Sequence, residues 1–414
     1  MTWLCLLLQV LTLLICKRVL RYWMHPVTVL AIFWSALSVA TVVLAPEYHF
    51  SAASYLAIVL LQISALIGGV LGLSILAPRA KTQKEVVLWH PRAISWVSIA
   101  FGFSAAALIL WSKGNSISSL ISFSQLADVS RDLSVARYED DYRMPLLARI
   151  LQMFVFFSAM VCGSQFALNP SSMRKYEFFL PIAALAFISV LLTTRATIIF
   201  GLLFWIGAWL ASAFFKASSA DWHPLSTRVV INSLLAACVA AISFIWLQFL
   251  RGGITDDFSR LPEVMAHLKK WPLGSLAGFS AWFDSGETPS PALGYYSFTG
   301  IFDTLGIRER ETGLYTNFVD LGDGSQGNIF TVFRALIDDF SLGGAFLAIF
   351  LFGIASSLAI SLCRRKSLGG LAMLAIIYPY VMFSSFTSFY SFLGHIVAAA
   401  AFTFYLSVFC KKKG

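Results

Sequence analysis

The sequence predicts an all-α polytopic membrane protein of about eleven transmembrane helices, with two large loops on one side. Three observations predict it. Of 414 residues, 58% are hydrophobic and only 12% charged, whereas a soluble domain carries about 25% charged residues. Apolar runs approaching 20 residues, the length that crosses the hydrocarbon of a bilayer, recur along the chain. The lysines and arginines cluster in alternate loops between those runs. The low charge excludes a soluble enzyme and a nucleic-acid binder. The whole of 1–414 reads as a single integral membrane domain.

The runs fall near 2–16, 27–45, 52–76, 93–112, 148–167, 177–193, 196–215, 229–249, 344–362, 369–386 and 391–409. The first has no basic n-region and no small-residue cleavage site before Lys17, so it reads as a membrane helix and not as a secretory leader. The sixth and seventh are parted only by the tight break Thr193-Thr194-Arg195. One long helix there is the alternative, and it inverts half the topology. Charge favours the break. With the N-terminus outside, one set of loops holds 17 cations, among them Lys17, Arg92, Lys216, Arg364 and Lys411, against the three acids Glu85, Glu177 and Asp221. That side carries +14 and the other −5. Short loops rich in Lys and Arg stay cytoplasmic, which places the C-terminus inside.

The six cysteines lie in or beside apolar runs and form no CxxC pair, so no disulfide framework or thiolate metal site is expected. No glycine-rich phosphate loop, HExxH or repeat of 20–50 residues is present. No metal or other cofactor is expected, and no inverted repeat of the transporter kind is evident. The basic loops are short, so any chemistry is expected on the other side or within the membrane.

Two loops there are long. In 113–147, Ile117, Leu120, Ile121, Leu126, Val129 and Leu133 fall near helical spacing, which suits an amphipathic helix at the bilayer surface or, equally, a packed loop cap. The loop 251–339 holds 12 of the 21 acids. Leu261, Val264, Met265 and Leu268 mark a short amphipathic helix in it. Aromatics follow, including Trp282, Tyr295, Tyr296 and Tyr315. A loop of this length is usually functional. Aromatics beside Asp and Asn suit the apolar face and hydroxyl rim of a sugar; the plainer reading is anchorage at the membrane surface.

Three arginines fall on the side where the positive-inside rule disfavours them: Arg195 between two runs, Arg251 at the end of the eighth, and Arg334 just before the ninth. An ionisable residue at membrane depth is a functional-site hypothesis, and arginine supplies two-pronged hydrogen bonds to phosphate. Snorkelling at a helix end, or pairing with Asp338 or Asp339, is the plainer account.

The run Gly327-Asn328-Ile329-Phe330-Thr331-Val332-Phe333-Arg334, followed by Asp338-Asp339-Phe340-Ser341-Leu342-Gly343-Gly344, resembles the signature of the Wzy-type oligosaccharide repeat-unit polymerases. That pattern is an Asn, a Thr, an Arg, then Asp-Phe-Gly and a further Gly; Ser341 stands where it favours Gly. Leu192-Thr193-Thr194-Arg195 is similar to the family's inner arginine motif, and Arg251-Gly252-Gly253 to the one that opens its large periplasmic loop.

The resemblance implies a metal-independent glycosyltransferase of the C-type membrane architecture in the bacterial inner membrane, with its active site facing the periplasm. It would move a growing glycan from undecaprenyl diphosphate onto a new lipid-linked repeat unit, as in O-antigen and lipopolysaccharide biosynthesis. Its partners would be lipid-linked oligosaccharide donor and acceptor, membrane lipid, and a polysaccharide chain-length regulator. The related ligases carry a His where this chain has Gly327, which favours polymerase over ligase. A flippase or transporter of lipid-linked oligosaccharides is the alternative of another class. On this reading Arg195, Arg251 and Arg334 balance the diphosphate charge, and the general base, if one is needed, is Asp338, Asp339 or Asp303. Thr194, Asn328, Thr331, Tyr295, Tyr296 and Tyr315 bind substrate. A helix starting near Asn328 puts Thr331 and Arg334 on one face; Asn328 as a simple helix cap is the plainer role. His395 reads as a packing residue of the last run, and His49 receives no role.

Overall fold

The computed structural model describes residues 2–77, 85–116, 118, 123–139, 144–217, 245, 259, 261–286, 291–307 and 315–413. Ten of the eleven runs are helices: α1 (Thr2–Leu20), α2 (Pro26–Leu44), α3 (Ala52–Ile75), α4 (Pro91–Trp111), α6 (Leu146–Leu168), α7 (Leu180–Leu191), α8 (Arg195–Lys216), α11 (Val332–Arg364), α12 (Leu368–Phe383) and α13 (Leu393–Phe409). The eighth run, 229–249, and Arg251 lie outside the described residues. Seven of these helices, α1–α4, α6, α8 and α11, are long and apolar enough to cross a membrane, and α12 and α13 are shorter apolar helices. The protein is therefore an all-α polytopic membrane protein.

Local chemistry sets several starts. Pro26 and Pro91 open α2 and α4, where a missing N–H costs nothing. The Ser51 hydroxyl accepts from Ser54 N at 3.1 Å and caps α3. The break between α7 and α8 is real: Thr193 takes φ 48°, and the Ser189 hydroxyl donates to Thr194 O across the turn. Small residues let helices meet closely. Gly68 and Gly72 of α3 lie against the Phe350 and Ile354 backbone of α11, and Gly353 against Ala65 and Gly69. This is the close packing that drives association in lipid, where burial from water no longer does.

The helix ends sort into two groups. At one, the basic end, cations cap the orphan carbonyls of neighbouring helices. Lys216 Nζ donates to Leu168 O at 3.0 Å, Arg365 Nη2 to Ala77 O at 3.1 Å, Arg364 Nη1 to Ala217 O at 3.3 Å, and Lys366 Nζ to Phe215 O. These bonds satisfy helix C-termini and complement their dipoles. The strand β1 (Glu85–Val87) pairs antiparallel with β4 (Lys411–Lys413) at this same end.

The opposite, loop end is tied together by the α2–α3 connection. His49 Nε2 meets Asp284 Oδ2 at 3.1 Å, Lys269 pairs with Glu47, and His49 N donates to Leu321 O at 2.7 Å.

The first long loop takes the second of its two expected forms, and the second loop departs from expectation. The helix α5 (Phe123–Glu139) packs Val129 and Leu133 against Ala105 and Ile109 of α4 and Ile188 and Leu191 of α7. It is a packed cap; Ile117, Leu120 and Ile121 lie outside the described residues. In the second loop the expected short helix extends to 24 residues as α9 (Leu261–Asp284), and its half beyond Pro272 buries Leu276, Phe279 and Trp282 in the core around α2 and α3. A short helix α10 (Thr299–Thr304) and a hairpin of β2 (Val319–Asp320) with β3 (Gln326–Gly327) follow. The loop ends at Thr331 and not at 339, because α11 already begins at Val332. Ser341, at φ 66° and ψ 172°, breaks α11. The segment before the break carries Arg334, Asp338 and Asp339; the segment after it is the apolar span.

Candidate functional site

The start of α11 is fixed from two sides, by α12 and by α2. Val332 N donates to Ser384 O at 2.8 Å, at the end of α12. Trp34 Nε1 of α2 donates to Ser384 Oγ at 2.9 Å, and the Trp34 ring packs on Phe333 at 4.8 Å. Thr331 is the N-cap residue, although its side chain makes no capping bond. Asn328 lies before the helix and does not cap it; its Nδ2 donates to Tyr315 O at 3.2 Å. The helix therefore starts about one turn after the expected start near Asn328.

This start carries Arg334 into an aromatic box. Its guanidinium carbon lies 3.8 Å from the ring centre of Phe330, 4.0 Å from that of Tyr315 and 4.9 Å from that of Trp282. Cation–π contacts of this kind contribute about 0.5–2 kcal/mol each as the site dries. Nε donates to Asp338 Oδ2 at 3.2 Å, one helical turn on. Arg334 is only 4% exposed. Asp338 is thus the orienting partner of Arg334.

Asp339, also buried, faces away from Arg334. Its Oδ1 accepts Tyr296 N and its Oδ2 accepts Ser297 N, both at 2.8 Å. Ala292 N and Leu293 N donate to the carbonyls of Asp338 and Asp339 at 2.9 Å, carbonyls that the break at Ser341 leaves open. With both oxygens committed to backbone N–H groups, Asp339 organises the 292–298 turn. Tyr296 then stacks on Tyr315, with centroids 5.0 Å apart and planes 8° from parallel. Tyr295 is buried against Tyr296 and Phe302. With Tyr296 stacked on it and Arg334 over its ring, Tyr315 is a wall of the box and not an open sugar platform. Burial, then the Asp338 carboxylate, pushes its phenol well above the ordinary range, so it stays a neutral hydroxyl.

Around this box the Tyr315 hydroxyl is the side-chain hydrogen-bond partner of Asp338, while Arg334 Nη1 and Thr331 Oγ1, both buried, have no hydrogen-bond partner among the described residues. Buried polar groups are nearly always satisfied, so these two orphans, one of them on a buried guanidinium, mark a site for a polar ligand or ordered water. Trp282 and Phe330 complete the box. Phe330 stands one turn before Arg334 in the sequence, whereas Trp282 is brought in only by the fold.

The other predicted residues are less gathered. Arg195 is the first residue of α8 and half-buried, and Thr194 Oγ1 lies 3.1 Å from Thr197 Oγ1. Because α8 and α11 bring their C-termini together at the basic end, Arg195 and Arg334 share the loop end. Asp303 sits in α10, with its Oδ1 buried and unpartnered among the described residues. His395 is a packing residue as expected, enclosed by Phe200, Phe204 and Phe389, with Nδ1 2.6 Å from Phe389 O. His49, given no role from sequence, ties the α2–α3 loop to Asp284. Among the described residues no three His, Cys, Asp or Glu side chains converge on a metal position. Cys5, Cys16, Cys162, Cys363 and Cys410 are free thiols, and Cys238 lies outside the described residues.

Comparison with family models, with curated proteins and with solved structures gives no match.

Proposed function

We propose that the chain is a surface-polysaccharide polymerase of the Wzy type, acting on lipid-linked oligosaccharides at the outer face of a bacterial inner membrane. The observation that carries the reading is the buried Arg334 guanidinium with Nη1 unpartnered among the described residues in its aromatic box. A guanidinium oriented through Nε by Asp338, with Nη1 unpartnered in a nearly water-free box, is prepared for an anionic group. Fixed donors of this kind in a low-dielectric site stabilise developing charge strongly.

In the proposed reaction an acceptor-sugar hydroxyl attacks the anomeric carbon of the donor glycan. The bond from that carbon to the diphosphate oxygen breaks, and undecaprenyl diphosphate leaves with the electron pair. Arg334, with Arg195 and Arg251, balances the diphosphate charge. The hydroxyl proton passes to a carboxylate or to solvent. Asp303 keeps an oxygen unpartnered among the described residues, whereas Asp338 is bonded to Arg334 and Tyr315 and Asp339 has both oxygens engaged by N–H groups. This ranks Asp303 first of the three bases.

In the proposed topology eleven helices cross the membrane, with the N-terminus and the loop end in the periplasm and the basic end and C-terminus in the cytoplasm. The charge asymmetry supports it, as does the gathering of Lys216, Arg364, Arg365 and Lys366 at one end of the bundle.

A gel of surface glycolipids from a strain lacking only this gene tests the function. Core lipid carrying one repeat unit is the expected result. Bare core would overturn the reading in favour of a ligase or a flippase, and lipid-linked chains accumulating outside would single out the ligase.

A further inference from the structure

Residues 291–307 contain one charged side chain, Asp303, in seventeen, and four large apolar side chains there face outward. Leu293 is 77% exposed, Leu305 66%, Ile307 61% and Phe298 43%. Exposed apolar groups at this density mark an interaction surface.

Much of the backbone of the segment is bonded within the protein. Ala292 N, Leu293 N, Tyr296 N and Ser297 N donate to Asp338 and Asp339. Phe298 N donates to Gly294 O, Ile301 N to Phe298 O, Leu305 N to Ile301 O and Ile307 N to Phe302 O. The Thr299 and Thr304 hydroxyls turn back onto Tyr295 O and Gly300 O, at 2.8 and 2.7 Å. Polypeptide enters the hydrocarbon of a bilayer only when its N–H groups find partners within the protein, and these bonds, with the short helix α10, leave few N–H groups of the segment for water.

Its position supplies the occupant. Gly300 packs so closely on Ser391 O and Leu393 N that no Cβ fits. This seats α10 on the loop-end terminus of α13, a helix whose Phe392, Val397 and Phe404 are themselves exposed. The outward apolar groups of 293–307 thus continue the lipid-facing surface of α13. We infer that residues 293–307 form an interfacial foot that dips into the adjacent leaflet of the bilayer. Because Asp338 and Asp339 bind its first turn, the foot sets the depth of the Arg334 box against the lipid surface. The inference does not depend on the polymerase reading.

The test uses the full chain in lipid nanodiscs. A polarity-sensitive nitrobenzoxadiazole label is placed at L305C, at I307C and, as a water-facing control, at S285C; unsubstituted protein sets the background. The expected result is blue-shifted emission at 305 and 307, quenched about twofold by a nitroxide on the upper acyl chain, a depth typical of interfacial segments, with neither effect at 285. Emission as in water at 305 and 307 overturns the inference. So does blue-shifted emission that lipid nitroxide leaves unquenched, which would assign the surface to protein contact. L293C provides an independent position if either substitution prevents insertion.

Discussion

Tyr296 and Tyr315 stack almost parallel, 5.0 Å between ring centres, and this contact joins two halves of the loop end that the chain supplies separately. Tyr296 belongs to the turn bonded to Asp339. Tyr315 is the wall on which the Arg334 guanidinium rests. A carboxylate that does not touch the arginine therefore sets the shape of the arginine's box, through one backbone bond and two ring contacts.

Asp339→Ala leaves the Tyr296 and Ser297 N–H groups without acceptors. Orphaning a buried donor costs about 1–3 kcal/mol, more when the lost partner is charged. A loss of about 3 kcal/mol is expected, read as a lower thermal midpoint of the purified protein, with Asp339→Asn losing about half as much because one acceptor oxygen survives. An unchanged midpoint in the alanine variant would remove Asp339 from the architecture of the site.

Arg334→Ala and Arg334→Lys should both stop chain growth. Lysine keeps the charge but has neither the planar face that lies on Phe330 and Tyr315 nor the fork that grips phosphate. Removing the arginine also strands the Asp338 charge, and breaking a buried pair from one side costs about 3–5 kcal/mol. Arg334→Ala combined with Asp338→Asn separates that folding cost from function. Surface polymer of ordinary length in either single variant would sink the arginine's role.

Some of this was legible in the sequence. Bilayer hydropathy reports helices whatever their partners, so ten runs are recovered, and the α7–α8 break is written in Thr193-Thr194-Arg195. The later half of α9 was hidden because Gly274-Ser275-Leu276-Ala277-Gly278 has no amphipathic period; its burial comes from α2 and α3 packing against it. The ninth apolar run falls short of the beginning of α11 because Arg334, Asp338 and Asp339 lower the hydropathy of 332–340; only the helix expected near Asn328 pointed to it. Trp282 lies 52 residues before Arg334, and no local pattern announces that they meet.

Ser341 is strained. Its φ of 66° with ψ of 172° falls in a region essentially reserved for glycine, at a cost of about 1–3 kcal/mol. Its hydroxyl gives back only a 3.5 Å bond from Gly344 N. Ser341→Gly should raise stability by about 1 kcal/mol, since a cap exchanged for glycine loses only a few tenths. Ser341→Ala keeps the strain and loses the cap, so it should lower the melting midpoint. A glycine variant less stable than the parent would contradict the strained backbone.

Glu177 gives the basic end a pH dependence. It is buried in the short 3-10 turn Lys175–Phe179, and desolvation there opposes its charge. Hydrogen bonds from Arg174 N and Arg92 Nε, each 2.8 Å, and from Trp96 Nε1 at 3.2 Å outweigh this and hold its carboxyl below the usual range. A depressed carboxyl contributes stability that is complete above its unfolded pKa and is lost as the pH falls through the folded value. The melting midpoint of the parent should fall on acidification below the ordinary carboxylate range. Glu177→Gln should be less stable at neutral pH and show a flatter acid limb. Parallel acid limbs would mean that the carboxylate is not the group being titrated.

The proposed orientation is the most exposed to a single experiment. Ser116, Ser171 and Ser285 are all exposed, so an introduced cysteine at each is open to a maleimide that reaches its side of the membrane. Ser116 follows α4 and Ser285 follows α9, both at the loop end; Ser171 lies between α6 and α7, at the basic end beside the carbonyls that Lys216 caps. An impermeant maleimide added to intact spheroplasts should label S116C and S285C and leave S171C unlabelled until the membrane is opened. Outside labelling of S171C would invert the chain. The same inversion would carry Arg334 to the cytoplasmic face, away from any glycan displayed in the periplasm, and the proposed function would fall with the topology.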